Sequence, residues 1–600
     1  MARIGVGGSA RSRPRRRILF LALVALALLA PAGWAAAGEI TSPYVVLFDP
    51  AAVSVPDTDS NANADSGADA FHSFRLLAAP PALRAITAAA AGSARTGGAT
   101  RVDSGRVDSH IRALAGRNHV RVNAVYANAV GGFAASLNRN QLADISADPS
   151  VEAVIPDMAV SIDDGSIGSA ASTMRSVTNP AWQVPAGIRR VGARTSAIQS
   201  LTRRTDRVDA DVAILDTGIE RDHPDLNVVG GYNCTGPNRN KWDDNDGHGT
   251  HVAGIVGALD NSYGVVGVAP GVRLWSVKVL DADGNGYLSW LVCGIDWVTA
   301  QRDPKNPGRP LIEVANMSIS FSVGPSPDST CANGEDVMHQ AICRSVAKGT
   351  TYVVAAGNNS RNARRNRPAA YDEVITVSAM ADYDGKGGGH GKPADSCPYS
   401  HFEPDDSFTD FSDYGPDVDL IAPGRCVLST YMGKRYAFMS GTSMASPHVA
   451  GAAAIYRSMY PNAKPAQVRL ALMAAGTLDW RTSTDPDAQH EKAVWVGDFR
   501  QPPDFSLATA ATGAVGPGGQ LNVSVQVSRI GGFDGSVSLT LADPPDGFSA
   551  ESSTAVGPNG VLHVDVGPRV RTGTYELTIV GRALDVEHHV QIEVVVSRHG

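Results

Sequence analysis

Three short stretches of this chain carry groups that could act together on a carbonyl carbon. "AILDTGIERDHPDL" sets Asp216 directly after an apolar run, "DGHGTHVAG" sets His248 at the start of a run with helical spacing, and "GTSMASPHVAG" sets Ser443 among small residues. A serine hydroxyl is a weak nucleophile until a base takes its proton. An imidazole is such a base near neutral pH, and a carboxylate can fix its tautomer and stabilise its charged form. Each residue alone has an ordinary structural reading: Asp216 as a turn residue, His248 as a satisfied core histidine, Ser443 as a helix cap. It is the three in one chain, each at the edge of a regular element, that point to nucleophilic acyl transfer.

The elements that must position them can be read from the apolar pattern. Between residues 182 and 490, short apolar runs ("DVAIL", "RLWSVKVL", "VANMSIS", "TYVVAA", "VITVSA") alternate with helical stretches ("YLSWLVCGIDWVTAQ", "EDVMHQAICRSVAKG"). Strand and helix in alternation predict an α/β domain, a doubly wound and mostly parallel sheet covered on both faces, with its chemistry at the carboxyl ends of the strands. Residues 42–157 open with "YVVLF" and close with strand-like runs around a short helical pattern, as in a small α+β unit. Residues 158–181 are small and polar and read as an exposed linker. From 503 to 600 the period becomes two, with Leu521, Val523, Val525 and Val527 and later Val590, Ile592, Val594 and Val596 on alternate positions, which predicts a C-terminal Ig-like β-sandwich.

Charge and cysteines narrow the setting. The first 37 residues hold six arginines and no acidic residue, then the run "ILFLALVALALLA" and a small-residue end, the pattern of a secretory signal peptide. The run is too short for a bilayer span, and the arginines before it also suit twin-arginine export. Loss of this leader takes the formal charge from -8 to -14, which argues against a nucleic acid partner, and no other stretch is apolar enough to span a membrane. The expectation is a secreted, extracellular monomer. Six cysteines in the middle region suit disulfides, and no CxxC spacing suggests zinc. Of fifteen pairings, Cys331 with Cys343 and Cys397 with Cys426 each close a short polar excursion, which leaves Cys234 with Cys293.

In the order Asp, His, Ser, and with "LWSVKVLDADGNGYLSW" and "AAGNNSRNARRNRPAAYDEVITVSA" between them, residues 182 to about 480 resemble the subtilases, in particular the subtilisin and proteinase K branches. The resemblance implies a serine endopeptidase acting on proteins, with Ser443 as nucleophile, His248 as base, Asp216 as its partner, and Asn358 with the Ser443 N–H as oxyanion donors. It implies substrate walls at Ser318, Ile319, Ser320 and Phe321 and at Ala356 and Gly357. Ile-Ser-Phe stands where the family has Leu-Gly-Gly, so Phe321 is expected to reshape the pocket. The stretch "LDNSYGV" resembles the family's calcium loop, which implies a structural Ca2+ held by Leu259, Asn261, Tyr263 and Val265 with Asp225 as carboxylate; the family's glutamine is displaced by one position, at Gln183. Residues 42–157 resemble the inhibitory propeptide of these enzymes, which makes the chain a self-processing zymogen cut within 158–181, and the tail resembles sandwich modules of exported bacterial enzymes.

Two other classes fit parts of the sequence. One is a binding protein whose sandwich is the working part; the intact set of four site residues speaks against it. The other is an esterase or amidase on small substrates, disfavoured by a cleft built for a chain. The arginines 361, 364, 365 and 367 read as a solvated basic loop, and the sandwich as a passive spacer.

Overall fold

The apolar runs of the middle region become strands of one sheet. In chain order these are β1 (Asp211–Asp216), β2 (Val228–Asn233), β3 (Arg273–Lys278), β4 (Val314–Met317), β5 (Thr351–Ala355), β6 (Ile375–Ala381), β7 (Leu420–Pro423) and β8 (Lys492–Ala493). The computed structural model describes residues 41–56, 100–162, 176–177, 182–193, 207–322, 336–395, 397, 402–497, 499–509, 514–584 and 586–597. The leader at 1–37, Cys331 and most of the linker at 158–181 lie outside them. The spatial order is β2-β3-β1-β4-β5-β6-β7-β8, all neighbours parallel, with a short antiparallel strand, Ser407–Phe408, beside β6.

Every residue of β1, β4, β5, β6 and β7 is buried, which is why these strands read as unbroken runs of Val, Ile and Ala. Helices α1 (His248–Gly257), α4 (Thr442–Met459) and α5 (Pro465–Ala475) share one core with one face of the sheet; α2 (Leu288–Ala300) and α3 (Val337–Ala347) share another with the opposite face. From β1 the chain crosses to the edge strand β2, returns to β3 between β2 and β1, then crosses to β4 on the other side of β1. The carboxyl end of β1 therefore lies at the point where strand order reverses, the usual place for a site in such sheets.

The N-terminal unit is a four-stranded antiparallel sheet in the order Val122–Tyr126, Gly132–Leu137, Ser42–Phe48, Val151–Pro156, with helices Ser104–Arg117 and Arg139–Ser146. Its first strand shows why "YVVLF" carries no polar alternation. Val46 and Phe48 pack on the unit's own helices with Ile111, Leu114 and Ile145, whereas Val45 and Leu47 pack with Leu291, Val292 and Ile342 of α2 and α3. Both faces are thus apolar because the second is covered by the sheet's helical layer.

The tail forms two packed sheets, one of four strands and one of five, with Val523, Val525, Val527, Leu577, Ile579 and Val594 in their shared core. Ala466 and Leu470 of α5 join that core, and Gln467 Nε2 donates to Pro503 O at 2.8 Å. The sandwich is therefore packed onto the last helix of the α/β domain, a tighter arrangement than a spacer requires. Cys234–Cys293 and Cys397–Cys426 are bridged as expected; Cys343 is also disulfide-bonded, and its expected partner Cys331 lies outside the described residues. No described helix is long and apolar enough to cross a membrane.

Candidate active site

Asp216 is the last residue of β1 and is fully buried. Its Oδ1 accepts from Thr217 N at 2.7 Å and lies 2.8 Å from His248 Nδ1. His248 is the first residue of α1, and its own N–H is held by Asp246 Oδ1 at 2.9 Å. A carboxylate only accepts, so Nδ1 carries the proton and Nε2 keeps its lone pair. Nε2 is buried and has no hydrogen-bond partner among the described residues. Burial lowers the basicity of His248, but the charge and hydrogen bond of Asp216, followed by the charges of Asp246 and Asp244, outweigh it and hold its pKa above the ordinary value.

Ser443 is the second residue of α4. Pro447 stands four residues on and has no N–H, so the carbonyl of Ser443 lacks its helical donor. Ser318, just past the end of β4, fills that place: its hydroxyl donates to Ser443 O at 2.8 Å, and Ser443 Oγ in turn donates to Ser318 O at 3.2 Å. Asn316 Nδ2 donates to Ser318 Oγ at 3.0 Å and Ser446 Oγ to Asn316 Oδ1 at 2.7 Å, so the first turns of α4 are tied to β4 by a buried polar chain. Asn358 follows β5, and its Oδ1 accepts from Thr442 N at 2.8 Å and Thr442 Oγ1 at 2.9 Å. A Cβ on Gly441, which has φ 150°, would lie 3.5 Å from Asn358 Nδ2 and 3.6 Å from Ser443 N. Two N–H donors thus border one small space beside the start of α4, where the helix dipole is positive.

The sheet brings these groups together, since Asp216, Ser318 and Asn358 close three adjacent strands, β1, β4 and β5. In this precursor Ser443 Oγ is turned to Ser318 O and makes no hydrogen bond to His248. Ser318, Ile319, Ser320, Phe321, Ala356 and Gly357 are all buried. Phe321 pairs with Arg367 and sits in the core beside Ile319 and Ala356. Gly357, with φ 116°, has the Asp413 carboxylate and the Ser320 hydroxyl within 2.9 Å of where a Cβ would be. Burial pushes the Asp413 carboxyl up to about 6 against hydrogen bonds from Arg361 N, Asn359 N and Asn366. The arginine loop differs from a freely solvated one: Arg361 is 3.8 Å from Asp413 and Arg367 3.1 Å from Asp336, while Arg364 and Arg365 are exposed.

The end of the N-terminal unit lies along the α/β domain. Ala159–Ser161 pairs antiparallel with Asn285–Tyr287, Leu288 N donates to Met158 O at 2.9 Å, and Asp157 accepts from Ser289 N at 2.8 Å and Ser289 Oγ at 2.6 Å at the start of α2. Asp296 of α2 accepts from the N–H groups of Ala127, Asn128 and Ala129 at 3.2, 2.8 and 2.7 Å and from Asn128 Nδ2 at 2.8 Å. Neither carboxylate was legible as an interface residue, because only the docked fold shows what they accept from.

Around Asp225 the loop 259–265 closes tightly. Leu259 N donates to Asp225 O, Asn261 Nδ2 to Oδ1 at 3.0 Å, and Val265 N and Tyr436 OH to Oδ2 at 3.0 and 3.2 Å. Tyr263 N donates to Asn261 Oδ1 at 2.9 Å, and Gln183 bridges to Val265. Burial pushes the Asp225 carboxyl up to about 6, and none of these partners is a cation. The groups turned toward this buried carboxylate are N–H and O–H donors, so a hard cation at Asp225 would have to replace hydrogen bonds with oxygen ligands of the loop.

A parallel α/β sheet with a buried aspartate–histidine pair, and a serine at the start of a helix packed against the histidine's helix, is an arrangement that suits a serine hydrolase. Residues 209–493 match the Subtilase family and residues 44–163 match Peptidase inhibitor I9. The chain is 40% identical over 270 residues to Subtilisin DY of Bacillus licheniformis, covering 83% of that protein and 44% of this chain. It is 37% identical over 289 residues to Subtilisin BL of Lederbergia lenta, covering 90% and 48%, and 35% identical over 300 residues to Subtilisin NAT of Bacillus subtilis subsp. natto, covering 67% and 50%. The chain belongs to the subtilase family. It is a serine endopeptidase that carries an I9 inhibitor domain ahead of its catalytic domain.

Proposed function

We propose that this is a secreted, self-processing endopeptidase in which Asp216, His248 and Ser443 form the catalytic triad. The observation that carries the reading is the 2.8 Å contact of His248 Nδ1 with the buried Asp216, which leaves Nε2 buried without a partner among the described residues, at the start of a helix, α1, that packs against the helix Ser443 begins, α4. Rotation of Ser443 Oγ from Ser318 O toward Nε2 lets His248 take its proton as the hydroxyl attacks the substrate carbonyl. Asp216 holds the tautomer and stabilises the imidazolium, which then protonates the leaving amine. The oxyanion is met by Asn358 Nδ2 and the N–H of Ser443. Losing such a side-chain donor costs about a hundred- to a thousand-fold in turnover, a magnitude measured on a subtilisin.

Substrate is proposed to lie as an added strand on Asn285–Tyr287, the place taken here by Ala159–Ser161, with Ser318, Ile319, Ser320, Phe321, Ala356 and Gly357 forming the walls of its main pocket. Residues 1–37 serve as the export signal, 42–157 as the intramolecular inhibitor, 158–181 as the segment cut on maturation, 182–490 as the catalytic domain and 503–600 as the sandwich. Within 158–181 the strand Ala159–Ser161, with Val160 buried, belongs with the inhibitor and is not an exposed linker, so the cut is proposed to fall after it. Asp225 with Leu259, Asn261, Tyr263 and Val265 would hold a structural Ca2+, whose charge would offset a carboxylate that burial otherwise penalises. The test is Ser443→Ala: it should abolish casein hydrolysis and accumulate a full-length precursor. A mutant that is still processed when made alone would exclude self-cleavage, and one that still cleaves casein would exclude the triad.

A further inference from the structure

One buried charge near the site has no part in the mechanism above. Lys278 is the last residue of β3 and only 5% exposed, and in the parallel register of β3 with β1 it stands directly beside Asp216. All three protons of its ammonium are used. They go to Thr217 O, to Leu280 O at 2.8 Å and to Asn245 Oδ1 at 2.7 Å. Two of these acceptors flank the catalytic carboxylate: Thr217 follows Asp216 in the chain, and Leu280 N donates back to Asp216 O at 3.2 Å. Burying a lysine is costly unless something compensates its charge, and here the compensation comes from the site itself.

The charges around His248 and Lys278 can be named element by element. Asp216 from β1 and Asp244 and Asp246 from the loop before α1 act on the imidazole, and the same three carboxylates, with Asp281 from the segment after β3, act on Lys278. His251 on α1 and His448 on α4 are held neutral by burial, with pKa values of about 3 and about 4, and Tyr431 donates its hydroxyl to Asp246 O. Asp244 is fixed by Thr217 Oγ1 at 2.9 Å, by Thr250 N at 3.0 Å and by the N–H groups of Asp246 and Gly247. Lys278 is the one cation in this set. Without it, only burial would oppose Asp216, Asp244 and Asp246 at the imidazole.

We propose that Lys278 is a positioning residue of the reaction: its ammonium pins the turn that follows Asp216 and supplies the positive charge that sets the pH at which His248 works as a base. The inference rests on the triad reading above. A base works best when its pKa is near the operating pH, and a surplus of carboxylates would keep His248 protonated at pH values where it must accept a proton. Burial makes the effect of the lysine large, because a charge removed from solvent is weakly screened by salt.

The test is the pH dependence of kcat/KM on a soluble peptide substrate with the processed enzyme. Lys278→Gln keeps N–H donors for the carbonyls but removes the charge. It should move the acid limb up by about one pH unit with KM little changed. Adding Asp246→Asn, which keeps the acceptor for His248 N, should bring the limb back toward the wild-type position, a rescue that a purely structural role would not give. An unmoved limb in Lys278→Gln would overturn the proposal. So would failure of both Lys278→Gln and Lys278→Met to fold as Ser443→Ala precursors, since the lysine would then be a stability residue. Activity surviving Ser443→Ala would instead refute the triad, and an unmoved limb with Ser443→Ala inactive would refute the lysine proposal alone.

Discussion

The exchange between Ser318 and Ser443 gives the sharpest quantitative prediction. Ser318→Ala removes the hydroxyl that replaces the missing Pro447 N–H at Ser443 O and that accepts from Asn316 Nδ2. Two buried polar groups lose their partners at about 1–3 kcal/mol each, so we expect about 3 kcal/mol of destabilisation. At about 2 °C per kcal/mol for a large domain, Tm should fall by about 6 °C. The measurement is thermal unfolding of the Ser443→Ala precursor, in which the carbonyl is retained and self-cleavage is prevented. Pro447→Ala returns an N–H to position 447 and should be nearly neutral alone, the loss of proline rigidity costing at most about 1 kcal/mol. In combination it should restore a donor to Ser443 O, so the double variant should be about 1 kcal/mol more stable than the sum of the two singles. Additivity within about 0.5 kcal/mol would refute the idea that Ser318 stands in for the helical donor.

Other predictions follow from the same contacts. Asp296→Ala leaves three N–H groups of the inhibitor domain without their acceptor, and inhibition of the mature enzyme by the added domain should weaken about a hundred-fold or more; an unchanged inhibition constant would remove that contact from the account. Burial pushes the Glu491 carboxyl up to about 8, against a hydrogen bond from Ser378, so its contribution is present at low pH and is lost as pH rises from the ordinary carboxylate range through about 8. Glu491→Gln should flatten the decline in Tm between pH 5 and 9, and an identical slope would contradict this. Excess chelator should lower Tm if loop 259–265 holds Ca2+, and an Asp225→Asn variant should lose that response; a chelator-insensitive wild type would exclude the ion.

Much of the α/β domain could be read from its residues because fully buried parallel strands need continuous apolar runs, and "DVAIL", "TYVVAA" and "VITVSA" are such runs. β2 was not legible. Its "VVGGYN" carries two glycines where a strand favours branched residues, and the structure shows why: a Cβ on Gly230 would meet the Trp275 ring and one on Gly231 the Trp242 ring, within 2.9 Å. The sandwich strands were legible from their alternation, but their attachment to α5 was not, because Ala466 and Leu470 look like any other helix-face residues until the two units are docked. The site divides in the same way. Asp216, His248, Ser443 and Asn358 stand out by their local context, whereas Lys278 sits in "SVKVL" as a lone lysine in a strand, and only the register of β3 with β1 brings it beside Asp216.

The most direct measurement of the central claim is covalent labelling of the processed enzyme with a fluorophosphonate, mapped by peptide mass spectrometry. One adduct is expected, on Ser443, at a rate that rises with pH along the titration of His248 and is lost in His248→Ala. An adduct on another residue, or labelling of Ser443 at the same rate without His248, would contradict it.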